Sequence, residues 1–218
     1  MGGGPGRYAI ALTQRNYDVT LLDLSQSNLI LAGKKAVEAN VQLSGSVHGS
    51  ALDLSAFADE SFDAVLMFGP LYHLLSETER LQAVEEGMRV LKRNGRFFAT
   101  FITRFAAFRS AAAEDPAWLI DNRAYAEHLL ATGIHDRGKG FVNAYFAHPS
   151  EIKPFMESAG LQTLNLIGCE GVVSLVEEKV NQLVGADFDL WVDFNYHMGQ
   201  EPFLYGAAEH LLYVGEKV

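Results

Sequence analysis

Apolar positions along the chain follow two rhythms. Short runs rich in β-branched, leucine and aromatic residues predict strands: "DVTLLDL" (Asp18 to Leu24), "FDAVLMF" (Phe62 to Phe68), "RFFATFI", "LQTLNLIG" and the terminal "AEHLLYVGEKV". "SVHGSALDLS" holds another short strand and the loop after it. Between these runs, apolar residues spaced three and four apart predict helices. Ser25 caps one that carries Leu29, Ala32, Ala36 and Val37 on one side. In "SETERLQAVEEGMRVLKRNG", Ser76 and Glu79 form a capping box, Leu81, Val84, Met88 and Leu91 share a face, and Asn94-Gly95 ends the helix. "PSEIKPFMESAGL" is a third helix, ended by Gly160, and Val172 to Val184 and Asp187 to Met198 are two more helical stretches. This alternation predicts an α/β fold: a doubly wound, Rossmann-like, mostly parallel sheet with helices on both faces and the last strand antiparallel. Residues 1–218 form a single domain. The regular alternation breaks over 103–147, which reads as an inserted lid packed over one end of the sheet.

Composition narrows the partners. The chain has 218 residues, 49% of them hydrophobic, and a formal net charge of −10. That balance is globular and repels DNA, RNA and anionic membranes. Cys169 is the one cysteine, so no intrachain disulfide forms, and it reads as a small buried thiol. No apolar run reaches membrane-spanning length and no signal pattern opens the chain, so the expected compartment is the cytoplasm. The expected partner is a small molecule; the oligomeric state is not legible, and no metal-ligand cluster stands out.

The chain opens on "MGGGPGRYA". Glycines this dense belong in a turn between a strand and a helix, where bare backbone approaches a ligand and the following helix adds its positive end. A P-loop needs Gly-Lys-Ser/Thr, which is absent. A dinucleotide G-x-G-x-x-G fails at Arg7, Ala9 or Pro5, according to the starting glycine. The spacing that fits is G-x-G-x-G: Gly2, Gly4 and Gly6. Asp23 ends the next apolar run, as the acid that holds a ribose does in dinucleotide folds, although a turn or cap residue is the plain alternative.

Those glycines, "VTLLD" and "GSALDLSAFADESFDAVLMFGPLYHL" together resemble the class I S-adenosylmethionine-dependent methyltransferases, in the small-molecule branch that includes the quinone C-methyltransferases. The resemblance runs from "GGGPGRYA" to "EHLLYVGEK". It implies S-adenosylmethionine as cofactor and methyl transfer to a small-molecule acceptor. Gly2, Gly4 and Gly6 would bind the cofactor, with Gly4 and Gly6 bringing backbone amides near its methionine carboxylate and ribose. Asp23 would take the ribose hydroxyls, Leu24 and Leu52 would sandwich the adenine, and the carbonyls at Phe68 and Gly69 would meet the ammonium. Where relatives often carry "G-D-A", this chain has Gly49, Ser50 and Ala51, so Ser50 would accept from the adenine amino group, with Asp53 as the alternative. Tyr72 and His73 in "GPLYHL" lie beside the expected methyl position as catalytic candidates, and His148 is a second histidine candidate. Each histidine has a purely structural alternative. Phe105, Phe108, Trp118, Tyr125, Phe141 and Tyr145 would line the acceptor pocket, or else form a small core of their own. The nucleic-acid amino-methyltransferase motif is absent from "FGPLY".

The resemblance also implies a strand before the glycines, between those read as Asp18–Leu24 and Phe62–Phe68. Without it, backbone groups on two strands lose partners at roughly 1–3 kcal/mol each. The expectation is therefore an N-terminally truncated chain, with the alternatives that the two neighbours pair directly or that another chain fills the gap. A catalytically inactive methyltransferase-fold binding or partner protein is the second functional reading, and an NAD-dependent oxidoreductase the third.

Overall fold

The computed structural model describes residues 1–136 and 142–218. Gly6, at φ 82°, turns the chain into helix α1 (Arg7–Thr13), which leads to strand β1 (Thr20–Asp23) and helix α2 (Gln26–Glu38). Ser25 caps α2 as its sequence predicts, accepting from the Asn28 amide at 3.3 Å. Leu29, Ala32 and Ala36 are buried on the inner face of α2, whereas Val37 is exposed because one further residue rotates it about 100° off that face. Strand β2 (Gly45–His48) pairs parallel with β1, from Thr20 opposite Gly45 to Asp23 opposite His48.

Strand β3 (Phe62–Met67) is followed by the single-turn helix α3 (Pro70–His73) and by α4 (Glu77–Val90). Two expectations fail here. The Ser76 side chain makes no capping bond. The helix also ends at Val90, not Asn94-Gly95, because Leu91 already pairs with Phe62 as the first residue of strand β4 (Leu91–Ile102). Asn94, at φ 60°, lies in the excursion before regular pairing resumes at Arg96.

Beyond β4 come helices α5 (Ala106–Glu114), α6 (Ala117–Asp121) and α7 (Arg123–Thr132), then the two-residue strands β5 (Ile134–His135) and β6 (Ala144–Tyr145). Helix α8 (Pro149–Ser158) and strand β7 (Leu161–Gly168) restore the alternation. The segment 172–184 is not one helix. A 3-10 turn at Gly171–Val173 and the short α9 (Glu177–Val180) are separated by Leu175 at φ 72°, a conformation that breaks helical bonding. Helix α10 (Ala186–Gly199), a 3-10 segment (Pro202–Ala207) and strand β8 (His210–Lys217) complete the chain.

The larger sheet has the order β3-β4-β8-β7, with β3 parallel to β4 and β8 antiparallel to both its neighbours. Because β8 runs backwards, His210 at its start pairs with Ile102 at the end of β4. The β1-β2 pair forms a separate sheet, and among the described residues no ladder joins β1 to β3. The first three residues bridge them instead. The Met1 ammonium donates to the Leu66 carbonyl at 2.6 Å, Phe68 N–H donates to the Met1 carbonyl at 3.1 Å, and Gly3 N–H donates to the Leu22 carbonyl at 3.2 Å. The glycine loop is thereby held between the C-terminal ends of β1 and β3.

The main core lies against the four-stranded sheet, around Met67, Leu71, Val84, Phe97, Ile152, Met156, Leu211 and Tyr213. Separate small cores form around Ile102, Tyr125, Leu129 and Phe146, and around Ala9, Leu21, Leu29 and Ala32. Among the described residues, no helix is long and apolar enough to cross a membrane.

Candidate functional site

Gly2, Gly4 and Gly6 have φ of 62°, 51° and 82°. In this region glycine avoids the strain a side chain brings. A Cβ at Gly2 would lie 2.6 Å from Pro70 Cδ and 2.9 Å from the Phe68 carbonyl oxygen. One at Gly4 would meet nothing within 4 Å. The first glycine thus touches the loop after β3, while the second opens onto free space. That is a backbone cradle bounded by β1 on one side and β3 on the other.

Asp23 is buried at the end of β1 and is already engaged. Oδ2 accepts from Gly4 N–H at 2.7 Å, and Oδ1 accepts from Ser25 N–H at 2.9 Å and Asn28 Nδ2 at 3.3 Å. The carboxylate ties the glycine loop to the strand end. Its two oxygens offer about four lone-pair sites, so three donors do not exhaust them.

The expected adenine clamp is less complete. Leu24 is 73% exposed beside Asp23, and Leu52 is half-buried, but Ala51 packs into the main core. Ser50 Oγ accepts from Leu52 N–H at 3.2 Å in a local turn. Asp53 is exposed and lines a separate cleft with Gln82, Glu85, Glu86 and Arg89, where its carboxylate accepts from Ser55 N–H at 3.0 Å. Hydrogen bonds from the Ser55 hydroxyl and then from its amide hold the Asp53 pKa below the ordinary carboxylate value.

The loop after β3 gathers aromatic rings in front of the cradle. Phe68 meets Tyr8 edge to face at 5.0 Å, and the Tyr72 hydroxyl is 3.8 Å from where a Gly69 Cβ would stand. Burial, with Tyr8 adding to it, raises the Tyr72 pKa above its usual value. The His73 ring lies 4.8 Å from that of Tyr72, and burial lowers its pKa against the opposing bond with the Asn143 backbone. His148 is elsewhere employed: it caps α8, with Nδ1 accepting from Ser150 N–H, while Glu151 accepts from His148 N–H in a capping box.

The aromatic residues of 103–147 are mostly spent on packing. Tyr125 is buried and hydrogen-bonded to His135, Trp118 meets both Tyr125 and Phe108 edge to face, and Phe105 meets His148. Tyr145 turns to the α8 side, where the Arg80 guanidinium lies 3.6 Å over its ring. There it lines a cavity of about 450 Å3 with Glu77, Arg80, Glu151 and Phe155. Its hydroxyl donates to Glu151 Oε2 at 2.7 Å, and burial pushes its pKa up to about 12. Phe141 lies outside the described residues. Cys169 is at the surface, not buried, because it follows the last residue of β7.

Two residues that sequence reasoning passed over close the far side of this end of the sheet. Glu170 follows β7, and His210 opens β8. Glu170 Oε1 and His210 Nδ1 are 2.7 Å apart, and Glu170 Oε2 accepts the amides of His210 and Glu209 at 2.8 and 3.2 Å. The His210 ring lies 6.4 Å from the Tyr72 ring. An antiparallel last strand brings its first residue back beside the end of β7, and that was the available signal. No group of three or more His, Cys, Asp or Glu among the described residues is placed to hold a metal.

This geometry has known counterparts. Residues 1–99 match the family described as methyltransferase domain. Over those first 99 residues the chain is similar to that family, and its fold is similar to that of solved methyltransferases. The ubiquinone biosynthesis O-methyltransferase of Coxiella burnetii is 27% identical over 169 residues, which cover 77% of this chain and 64% of that protein. The chain therefore spans just under two thirds of that relative. Among solved structures, an S-adenosylmethionine-dependent methyltransferase from Methanosarcina mazei has a TM-score of 0.64 at 16% identity, covering 100% of this chain and 90% of that one. The geranyl diphosphate C-methyltransferase of Streptomyces coelicolor, solved with Mg2+, geranyl diphosphate and S-adenosyl-L-homocysteine, has a TM-score of 0.58 at 16% identity, covering 100% and 70%. The curated relative is an O-methyltransferase, whereas the sequence motifs most resemble the quinone C-methyltransferases.

Proposed function

We propose that this chain binds S-adenosylmethionine and transfers its methyl group to a small-molecule acceptor. The carrying observation is the set of three left-handed glycines of which one, Gly4, donates its N–H at 2.7 Å to the buried strand-end carboxylate of Asp23. When bound, S-adenosylmethionine supplies an electrophilic methyl group on sulfur. The residues present suit it. The open side of Gly4 admits a carboxylate or sugar against bare backbone, and the spare lone pairs of Asp23 accept from vicinal hydroxyls. Leu24 presents an apolar surface at one edge of the site. The carbonyls at Phe68 and Gly69 accept from an ammonium.

Protein-side catalysis is then mainly alignment and exclusion of water. Tyr8, Phe68 and Tyr72 form an aromatic wall, and the described residues of the segment 103–147 cover the acceptor as a lid. Tyr72, whose pKa burial raises, donates a hydrogen bond to the acceptor, and His73, whose pKa burial lowers, orients it. The protein acts as a soluble cytoplasmic enzyme without nucleic-acid or membrane partners. Incubating it with labelled S-adenosylmethionine and a panel of phenols, quinone precursors and amines tests the reading. Label transferred to at least one apolar or aromatic acceptor supports it, and transfer confined to small, highly charged acceptors opposes it.

One observation favours a binding protein without turnover: Ser50 stands where relatives often carry an acid and offers the adenine a weaker acceptor than a carboxylate. Cofactor binding with no transfer to any acceptor would select that alternative. An NAD-dependent oxidoreductase is disfavoured by the glycine spacing.

A further inference from the structure

We infer that Glu170 and His210 form a carboxylate-oriented base that removes the proton from an acceptor hydroxyl, so that the acceptor is a neutral phenol or enol. The inference rests on the methyltransferase reading and names its substrate class. The two residues are 40 positions apart, yet both stand at the sheet edge that carries the cradle. Glu170 follows the end of β7, and His210 opens the antiparallel β8 opposite Ile102 at the end of β4.

The arrangement fixes one tautomer. Nδ1 is 2.7 Å from Glu170 Oε1, a carboxylate that only accepts, so Nδ1 carries the proton. Nε2 is then the basic nitrogen, and it has no partner among the described residues. Glu170 is itself held by the amides of Glu209 and His210, which keeps the pair from swinging apart. The His210 side chain is 37% exposed, open enough for a ligand to reach it. A nucleophile-facing imidazole, oriented through its other nitrogen by a third group, is the arrangement that base catalysis needs.

The groups around His210 are few. Glu170 bonds it, Glu209 precedes it with its own carboxylate accepting from Ser174 Oγ at 3.3 Å, and Tyr72 approaches from α3. The hydrogen bond to Glu170 raises the His210 pKa from its ordinary value, despite opposing burial. Phenols ionise near pH 10, so at neutral pH the attacking oxygen is protonated and needs such a base. The step balances simply: the acceptor O–H bond breaks, its electron pair stays on oxygen, and the proton forms an N–H bond at Nε2. The imidazolium is stabilised by Glu170 and later returns the proton to water. Amines and carbanions that are already nucleophilic gain nothing from this pair. His73 is a weaker base, because burial lowers its pKa.

The test reads ionisation instead of turnover. 4-Nitrophenol is added to wild type, His210→Gln and Glu170→Gln at a pH below its own pKa, and the phenolate absorbance of the bound probe is recorded. The wild type should bind it as phenolate, with an apparent pKa lowered at least about tenfold in acidity. His210→Gln should bind it as the neutral phenol, and Glu170→Gln should show the colour only at higher pH. No binding, or equal ionisation in wild type and His210→Gln, overturns the inference. S-adenosylhomocysteine titrated into the same three proteins reports the cofactor site alone. Loss of that affinity in the wild type would refute the proposed function, whatever the probe shows.

Discussion

Around β1 and β2 the separate buried cluster is small, formed by Ala9, Leu21, Leu29 and Ala32, and the chemistry there is done by backbone amides and one carboxylate. Across β3, β4, β8 and β7 the core includes Met67, Phe97, Met156, Leu211 and Tyr213, and the candidate chemistry belongs to side chains drawn from three separate segments, Tyr72–His73, Glu170 and His210. The two regions meet through Leu22 in the main core and through the three-residue bridge at Met1–Gly3. The difference shows a division of labour. A site made of backbone needs a tight local turn and little support, whereas a site made of side chains needs a rigid sheet to bring distant residues together.

Core substitutions should expose this asymmetry most strongly. Phe97 has no exposure, and Phe97→Ala should cost about 3–5 kcal/mol, a large part of the roughly 5–15 kcal/mol that holds a domain folded. Leu29→Ala, in the smaller cluster, should fall near the lower limit of about 2 kcal/mol. Urea unfolding midpoints compare the two, and equal losses would break the contrast.

The next largest effect concerns ligand affinity. Asp23→Ala removes the acceptors for the Gly4 and Ser25 amides, each bond to a charged group being worth about 1.5–3 kcal/mol. The account expects S-adenosylhomocysteine affinity to fall by about 100-fold, with a drop in the urea midpoint approaching that of Phe97→Ala because two amides lose their acceptor.

Gly6→Val should be smaller again. The residue has φ 82°, and a Cβ would lie 2.9 Å from that of Ala32. A strained left-handed residue costs about 1–3 kcal/mol, and here it also pushes α1 from α2. A thermal melt alongside cofactor titration measures both effects, and an unchanged melting temperature would contradict the strain.

The smallest effect is the pH dependence of the Glu170–His210 pair. The histidine pKa is raised in the folded protein, so its stabilisation is complete below about 6.5 and is lost as pH rises through the folded value. For Glu170 burial opposes ionisation, but the His210 bonds win and lower its pKa. Its contribution is present above about 4.5 and is lost as pH falls through the folded value. Both side chains are about one-third exposed, so screening limits the pair to at most about 1 kcal/mol between those limits. Melting temperatures of wild type and His210→Gln should differ there and converge at higher pH.

The same division decides how much was legible in the sequence. The glycine spacing, Asp23 and the strand runs are local features, and the structure places them together at one sheet edge. The antiparallel last strand was also foreseen. Glu170 and His210 escaped because their meeting depends on the register of β7 against β8, which no short motif encodes. Leu91 was misassigned to a helix because its helical spacing competes with a ladder partner 29 residues earlier, Phe62. Ser50 and Tyr145 carried plausible chemistry that local turn bonding and packing under Arg80 take up instead.

The most direct test of the central claim is calorimetric titration of S-adenosylhomocysteine into the 218-residue protein and its Asp23→Ala variant. The account predicts one saturable site in the wild type, with affinity lost in the variant. No heat of binding in the wild type, or equal affinity in both proteins, would contradict it.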